Sequence, residues 1–364
     1  VSVPYQRLLR VHPRYRWWRP FVALALLLGF WLVTQILISV IAIVIVIASG
    51  GAGGAESFLT ELQKDPLSSA HPASLAITLV SLVVLLPAIM VSVRLARLGP
   101  IGQLSSVRFR IRWGWMARCL LPLFVLLLLM VGIQGFAPGG MFVIGAHGIT
   151  ASPSIGHPTV STVTMWIGIA MSIVLVPFQA AAEEFIFRGF VMQAVGSWIR
   201  WRWPVVPVLV STFFFAIAHV PNGYNAWAIV DVGSFGCIAA LLVWRTGGLE
   251  AGILAHALNN TVIFVLQAPG WSKLDTSGGN ENWTGPAVTI LTLGIYALLV
   301  ELLAKRVGLD RTRPGREVPR FSGEAPAWAG SDTAGWTGAP ALVGEASGVL
   351  HSAMLDDDAV GGRP

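Results

Sequence analysis

Long apolar runs separated by short polar and basic connections dominate this chain. Eight of them, residues 20–48, 73–96, 113–135, 164–190, 204–220, 226–244, 249–267 and 286–304, approach the ~20 residues needed to cross hydrocarbon. Only a helix satisfies its own backbone at such lengths, because lipid supplies no hydrogen-bond partners. The pattern therefore predicts an all-α fold, a polytopic membrane helical bundle of about eight transmembrane helices. The first run, from Pro20 to about Ser49, is longer than the apolar part of a secretory signal and is expected to stay as an anchor.

Composition agrees with this reading. Of 364 residues 55% are hydrophobic and 12% charged, against roughly 25% charged in a soluble domain. Basic residues are retained on the cytoplasmic side, so their distribution sets orientation. Arg7, Arg10, Arg14, Arg16 and Arg19 precede the first run, and Arg94, Arg97, Arg108, Arg110, Arg112 and Arg118 surround the connection between the second and third. Arg200, Arg202, Arg245 and the Lys305–Arg320 cluster fall on the same side if eight helices cross. Both termini are then expected in the cytoplasm. The net charge of +6 follows from this asymmetry and from attraction to anionic lipid, so the expected partner is the bilayer and not nucleic acid. Cys119 and Cys237 both lie in apolar runs, which argues against a disulfide framework.

Three regions follow. Residues 1–160 hold an aromatic and basic N-terminal interfacial arm and the first three helices, with the glycine-rich 50–56 expected as a flexible exit. Residues 161–306 form a second membrane core, preceded by a Gly/Pro/Ser/Thr-rich outer loop over 136–163 where His147 and His157 are ordinary solvated histidines. Residues 307–364 change to Gly, Ala, Pro and charge, and are expected to be a disordered cytoplasmic tail.

Polar side chains within the core need a reason, since a charge near the bilayer centre costs roughly 2.5–3.5 kcal/mol. In AAEEFIFRGF, Glu184 and Arg188 are four residues apart and share a helical face, whereas Glu183 points about 100° away. Glu184 thus neutralises Arg188 and supports the site, while Glu183 needs a partner on another helix or takes up a proton. His219 ends the fifth run one turn after Phe215. Gly248, Gly252, His256 and Asn260 form a stripe at four-residue steps along the seventh, whose glycines admit a close neighbour. A carboxylate, two imidazoles and an amide on three helices suffice to position and activate a water molecule. Asp231 in the sixth run has no assigned role, and Glu250 and Glu301 lie near enough to water to need none.

The EExxxR, FxxxH and HxxxN patterns, carried by Glu183, Glu184 and Arg188, by Phe215 and His219, and by His256 and Asn260, resemble those of the CAAX protease and bacteriocin-processing family. The resemblance covers roughly residues 160–265. It implies an intramembrane endopeptidase of a bacterial plasma membrane acting on a membrane-embedded or lipidated peptide or protein. It further implies that Glu183 is the general base, helped by His219, that His256 and Asn260 stabilise the oxyanion, and that Glu184, Arg188 and Phe215 support the site. A zinc ion is compatible with a Glu and two His, but there is no HExxH and a direct Glu/His mechanism needs no ion. Metal dependence stays open on the sequence. Two other classes compete: a proton-coupled transporter using Glu183, Asp231 and the histidines, and a catalytically silent membrane scaffold. Substrate identity and oligomeric state are not encoded in any visible motif.

Overall fold

A computed structural model describes residues 2–64, 71–136, 142–145, 148–200, 202–273 and 278–320. Helices stand at all eight apolar runs. They are α1 (Arg19–Lys64), α2 (Pro72–Val83) and α3 (Leu85–Leu95), α4 (Trp113–Arg118) and α5 (Leu120–Phe136), α6 (Thr162–Glu184), α7 (Met192–Trp198), α8 (Val205–Ile217), α9 (Ala226–Thr246), α10 (Glu250–Gln267) and α11 (Thr284–Arg306). Among the described residues six spans are both long and apolar enough to cross a membrane. α5 has a shorter apolar stretch, Leu120–Ile133, and α10 is made more polar by Glu250, His256, Asn259 and Asn260.

The α6 helix lies at the centre, packed on α10 and α2, while α9 sits between α8 and α11. Phe215, Phe235, Leu242, Tyr296 and Val300 build the main apolar core from α8, α9 and α11. By contrast α1 leaves Leu32, Ile36, Val40 and Val44 open along its length, as a lipid-facing helix requires.

Several details differ from the sequence reading. α1 continues through the glycine-rich 50–56, which was expected to be a flexible exit. Each glycine costs a helix about 1 kcal/mol, but extending an existing helix avoids the larger cost of nucleation. The second run is divided at Val84 into α2 and α3. Part of the outer loop forms a hairpin, with β2 (Phe142–Gly145) pairing antiparallel to β3 (Gly148–Ala151). His147 lies outside the described residues.

The N-terminal arm is tucked under the bundle. β1 (Ser2–Pro4) leads into a 3-10 helix (Tyr5–Val11) whose seven residues are all buried, packed on α7. Tyr5 donates from its hydroxyl to the Leu104 carbonyl, and Tyr15 Oη lies 3.0 Å from Ser197 Oγ. The region after Arg306, expected to be disordered, is folded over 307–320. β4 (Thr312–Pro314) pairs antiparallel with β1, and Glu317 meets Arg7 at 2.6 Å and Arg10 at 2.9 Å. The pairing joins segments more than 300 residues apart, which local composition cannot reveal; residues 321–364 lie outside the described residues. Glu250, expected near water, is wholly buried and accepts from Arg112 Nε at 2.8 Å and Nη2 at 2.6 Å. The burial is tolerable because the pairing is bidentate.

Candidate active site

The last turn of α6 places Gln179, Glu183 and Glu184, after which the chain winds as a π-helix over Phe185–Val191 before resuming as α7. π turns cluster at functional sites because the extra residue per turn re-aims side chains. Here the turn follows immediately on the two glutamates and contains Arg188.

Glu184 and Arg188 form the ion pair expected from their spacing. Arg188 Nη1 lies 2.9 Å from Glu184 Oε1 with both side chains fully buried, and the guanidinium carbon stands 4.1 Å from the centre of the Phe215 ring. The ring thus covers a desolvated cation with its electron-rich face. Phe215 also touches both histidine rings, at centroid separations of 4.7 Å to His219 and 5.8 Å to His256. It packs the ion pair and two imidazoles around one apolar plate.

Glu183 is held differently. Its Oε1 accepts from Gln179 Nε2 at 2.5 Å, one turn back on the same helix, and its Oε2 accepts no hydrogen bond among the described residues. The nearest basic atom is His256 Nε2, 3.5 Å from that free oxygen. His256 reaches Glu184 from its other nitrogen, with Nδ1 3.0 Å from Oε1. A carboxylate only accepts, so this contact places the proton of a neutral imidazole on Nδ1 and leaves Nε2 facing Glu183. The glycine stripe makes the approach feasible: a Cβ on Gly252 would stand 3.1 Å from Glu184 Oε2.

Glu183 also lines a cavity of about 300 Å³ together with Gln179, His219, Tyr224 and Asn260. Thr78, Leu79 and Leu82 of α2 close it on one side. Glu183, at the C-terminal end of α6, and His219, just past the C-terminal end of α8, thus share this space. His219 Nδ1 donates to the Phe215 carbonyl at 2.8 Å, since a carbonyl can only accept, which leaves Nε2 of the neutral ring unprotonated. Asn260 Nδ2 donates to Gln179 Oε1 at 3.3 Å and its Oδ1 accepts from Asn259 at 3.1 Å. His256 is not among the cavity-lining residues; it stands behind Glu183, between the two carboxylates. Asp231 is not among the lining residues.

Gln179 is the participant that the motifs do not contain. Its position one turn before Glu183 was a usable signal, because residues four apart share a helical face. Among the described residues no three His, Cys, Asp or Glu side chains gather as a ligand set.

Residues 164–262 match the model of the type II CAAX prenyl endopeptidase Rce1-like family. Over 99 residues the chain is 34% identical to the uncharacterized protein YyaK of Bacillus subtilis (strain 168), covering 26% of this chain and 32% of that protein. The chain thus spans about a third of the length of this curated relative. No solved structure matches. The matched segment contains every one of the motif residues from Glu183 to Asn260, so over this membrane core the chain is similar to that family.

Proposed function

We propose that this chain is an intramembrane endopeptidase that hydrolyses a peptide bond of a membrane-associated substrate by direct water activation. The observation that carries the reading is the free Oε2 of Glu183 beside a 300 Å³ cavity shared with His219 and Asn260. A water molecule in that cavity loses a proton to Glu183 as its oxygen adds to the scissile carbonyl. His219 Nε2, unprotonated when Nδ1 is bound to Phe215, accepts a hydrogen bond from the same water and orients it. The carbonyl oxygen becomes an oxyanion that the Asn260 amide meets as donor. The proton held on Glu183 passes to the leaving amine as the C–N bond breaks, restoring the carboxylate.

His256 was assigned an oxyanion role on the resemblance. Its position between Glu183 and Glu184 favours instead a positioning role: Glu184 fixes the ring, which packs behind Glu183 with Nε2 3.5 Å from Oε2. The fully buried Glu184–Arg188 pair anchors that relay. Lipidated or membrane-embedded peptides are the substrate class in this reading, because the cavity lies among spans and is walled by the apolar residues of α2.

The test is cleavage of a fluorogenic, lipidated peptide by the purified full chain. Glu183→Gln and His219→Ala are each expected to abolish turnover while leaving the protein folded, and chelator is expected to leave the wild-type rate unchanged. Turnover surviving in both variants would reject the assignment, and loss of turnover on chelation would reject the metal-free route.

A further inference from the structure

We propose a second site, distant from the cavity of Glu183: a cradle for the headgroup of an anionic phospholipid, formed between the 108–118 segment and the turn that follows α11. The two segments enclose a space of about 870 Å³ lined by Arg108, Arg110, Arg112, Arg118, Trp113 and Asp310. The four guanidinium groups are not equivalent. Arg112 is fully used, with Nε and Nη2 on Glu250 and Nη1 donating to the carbonyls of Thr246 and Asp310. Arg108 is paired with Asp310. Arg110 and Arg118 are exposed, and among the described residues their guanidinium groups meet no acid and no acceptor. Two uncompensated cations therefore face one concave space.

The rim that carries them is firmly built. Ser106 Oγ donates to the Arg110 carbonyl at 2.7 Å and accepts from the Arg108 backbone at 3.1 Å, and Val107 is tied to the Gly247 carbonyl at 2.9 Å. Guanidinium groups suit a phosphate in particular, since their planar donors bind two of its oxygens at once.

The neighbouring surface decides between a lipid and a soluble anion. Directly after Arg118 and Cys119, α5 presents Leu120, Leu121, Phe124 and Leu128, each more than half exposed. Trp113, 72% exposed, stands on the same rim at the position typical of a headgroup-level aromatic. Within one helical turn the surface passes from two free cations to hydrocarbon. A free phosphate or an acidic peptide gains nothing from that strip, whereas the acyl chains of a phospholipid run along it while the phosphate meets Arg110 and Arg118. Basic pockets at helix ends are suited to anionic headgroups for this reason.

Native mass spectrometry of the detergent-purified full chain mixed with equal phosphatidylglycerol and phosphatidylcholine tests the site. Wild type is expected to retain phosphatidylglycerol in preference, and Arg110→Gln/Arg118→Gln to weaken that retention roughly tenfold or more, each charge contributing near an anionic surface. The control Arg94→Gln/Arg200→Gln removes two other exposed arginines and is expected to change little. Equal retention of both lipids by wild type, or an equal loss in the control, overturns the proposal. Complete displacement of the lipid by millimolar inorganic phosphate overturns the choice of a lipid ligand. Because the Arg110 and Arg118 guanidinium groups hold no partner among the described residues, the double variant should melt with wild type, and its cleavage rate in neutral detergent should be unchanged.

Discussion

Gln179 donates a 2.5 Å hydrogen bond to Glu183 from one turn upstream, and through its carbonyl oxygen it accepts from Asn260. A single amide thereby joins the carboxylate proposed as base to the amide proposed for the oxyanion. Hydrogen bonds to a charged group contribute about 1.5–3 kcal/mol, so Gln179→Leu is expected to lower kcat about 10- to 100-fold with KM little altered. Gln179→Glu, which keeps an acceptor for Asn260 but replaces the donor to Glu183 with an acid, should displace the pH profile of kcat. A parallel rise in KM with unchanged kcat would place Gln179 in substrate binding instead.

The Glu184–Arg188 pair predicts a separation of stability from chemistry. Arg188→Ala leaves a buried carboxylate without its cation and is expected to cost about 3–5 kcal/mol, read as a large fall in melting temperature or as failure to fold. Glu184→Gln should lower the melting temperature less and leave measurable cleavage, unlike Glu183→Gln. A Glu184→Gln/Arg188→Met double variant that melts above Arg188→Ala would show that the unpaired charge, and not lost packing, is the dominant penalty.

Gly252 tests how closely α10 must approach α6. Alanine there gains about 1 kcal/mol of helix propensity but brings a methyl to 3.1 Å from Glu184 Oε2, an overpacking that costs about 1–3 kcal/mol. The two effects nearly offset, so Gly252→Ala is expected to change the melting temperature modestly. Its cleavage rate should fall severalfold, because the displaced Glu184 carries His256 with it. An unchanged rate would show that the relay tolerates such a shift.

Outside the spans, Glu281 in the loop before α11 has its carboxyl pushed up to about 7, first by burial and then by the nearby Asp231. Its folded value exceeds the unfolded one, so the folded chain binds the extra proton and stability falls as pH rises from about 4.5 to 7. Glu281→Gln is expected to remove this slope, raising the melting temperature relative to wild type at pH 8 and leaving the two alike at pH 4. Parallel wild-type and variant curves across that range would refute the shift.

The extent to which the site was readable follows from the reach of each interaction. Glu184 with Arg188, and Phe215 with His219, are one turn apart, and helical periodicity alone brings each pair together. That Glu183 requires a partner from elsewhere was legible from its orientation, and His256 on α10 supplies part of it. Gln179 was passed over because a glutamine inside an apolar helix is unremarkable until its acceptor is known. The π turn at Phe185–Val191 could not be read, since hydropathy there fits an ordinary helix equally well. The buried N-terminal arm and the folded 307–320 depend on each other across the whole chain, and neither has a strong local pattern.

That interdependence bears on biogenesis. Arg7 and Arg10 lie buried against Glu317, which emerges from the ribosome some three hundred residues after them. The membrane helices can be inserted one after another, but the floor beneath them stays unfinished until synthesis has passed residue 318, whose amide donates to the Arg10 carbonyl.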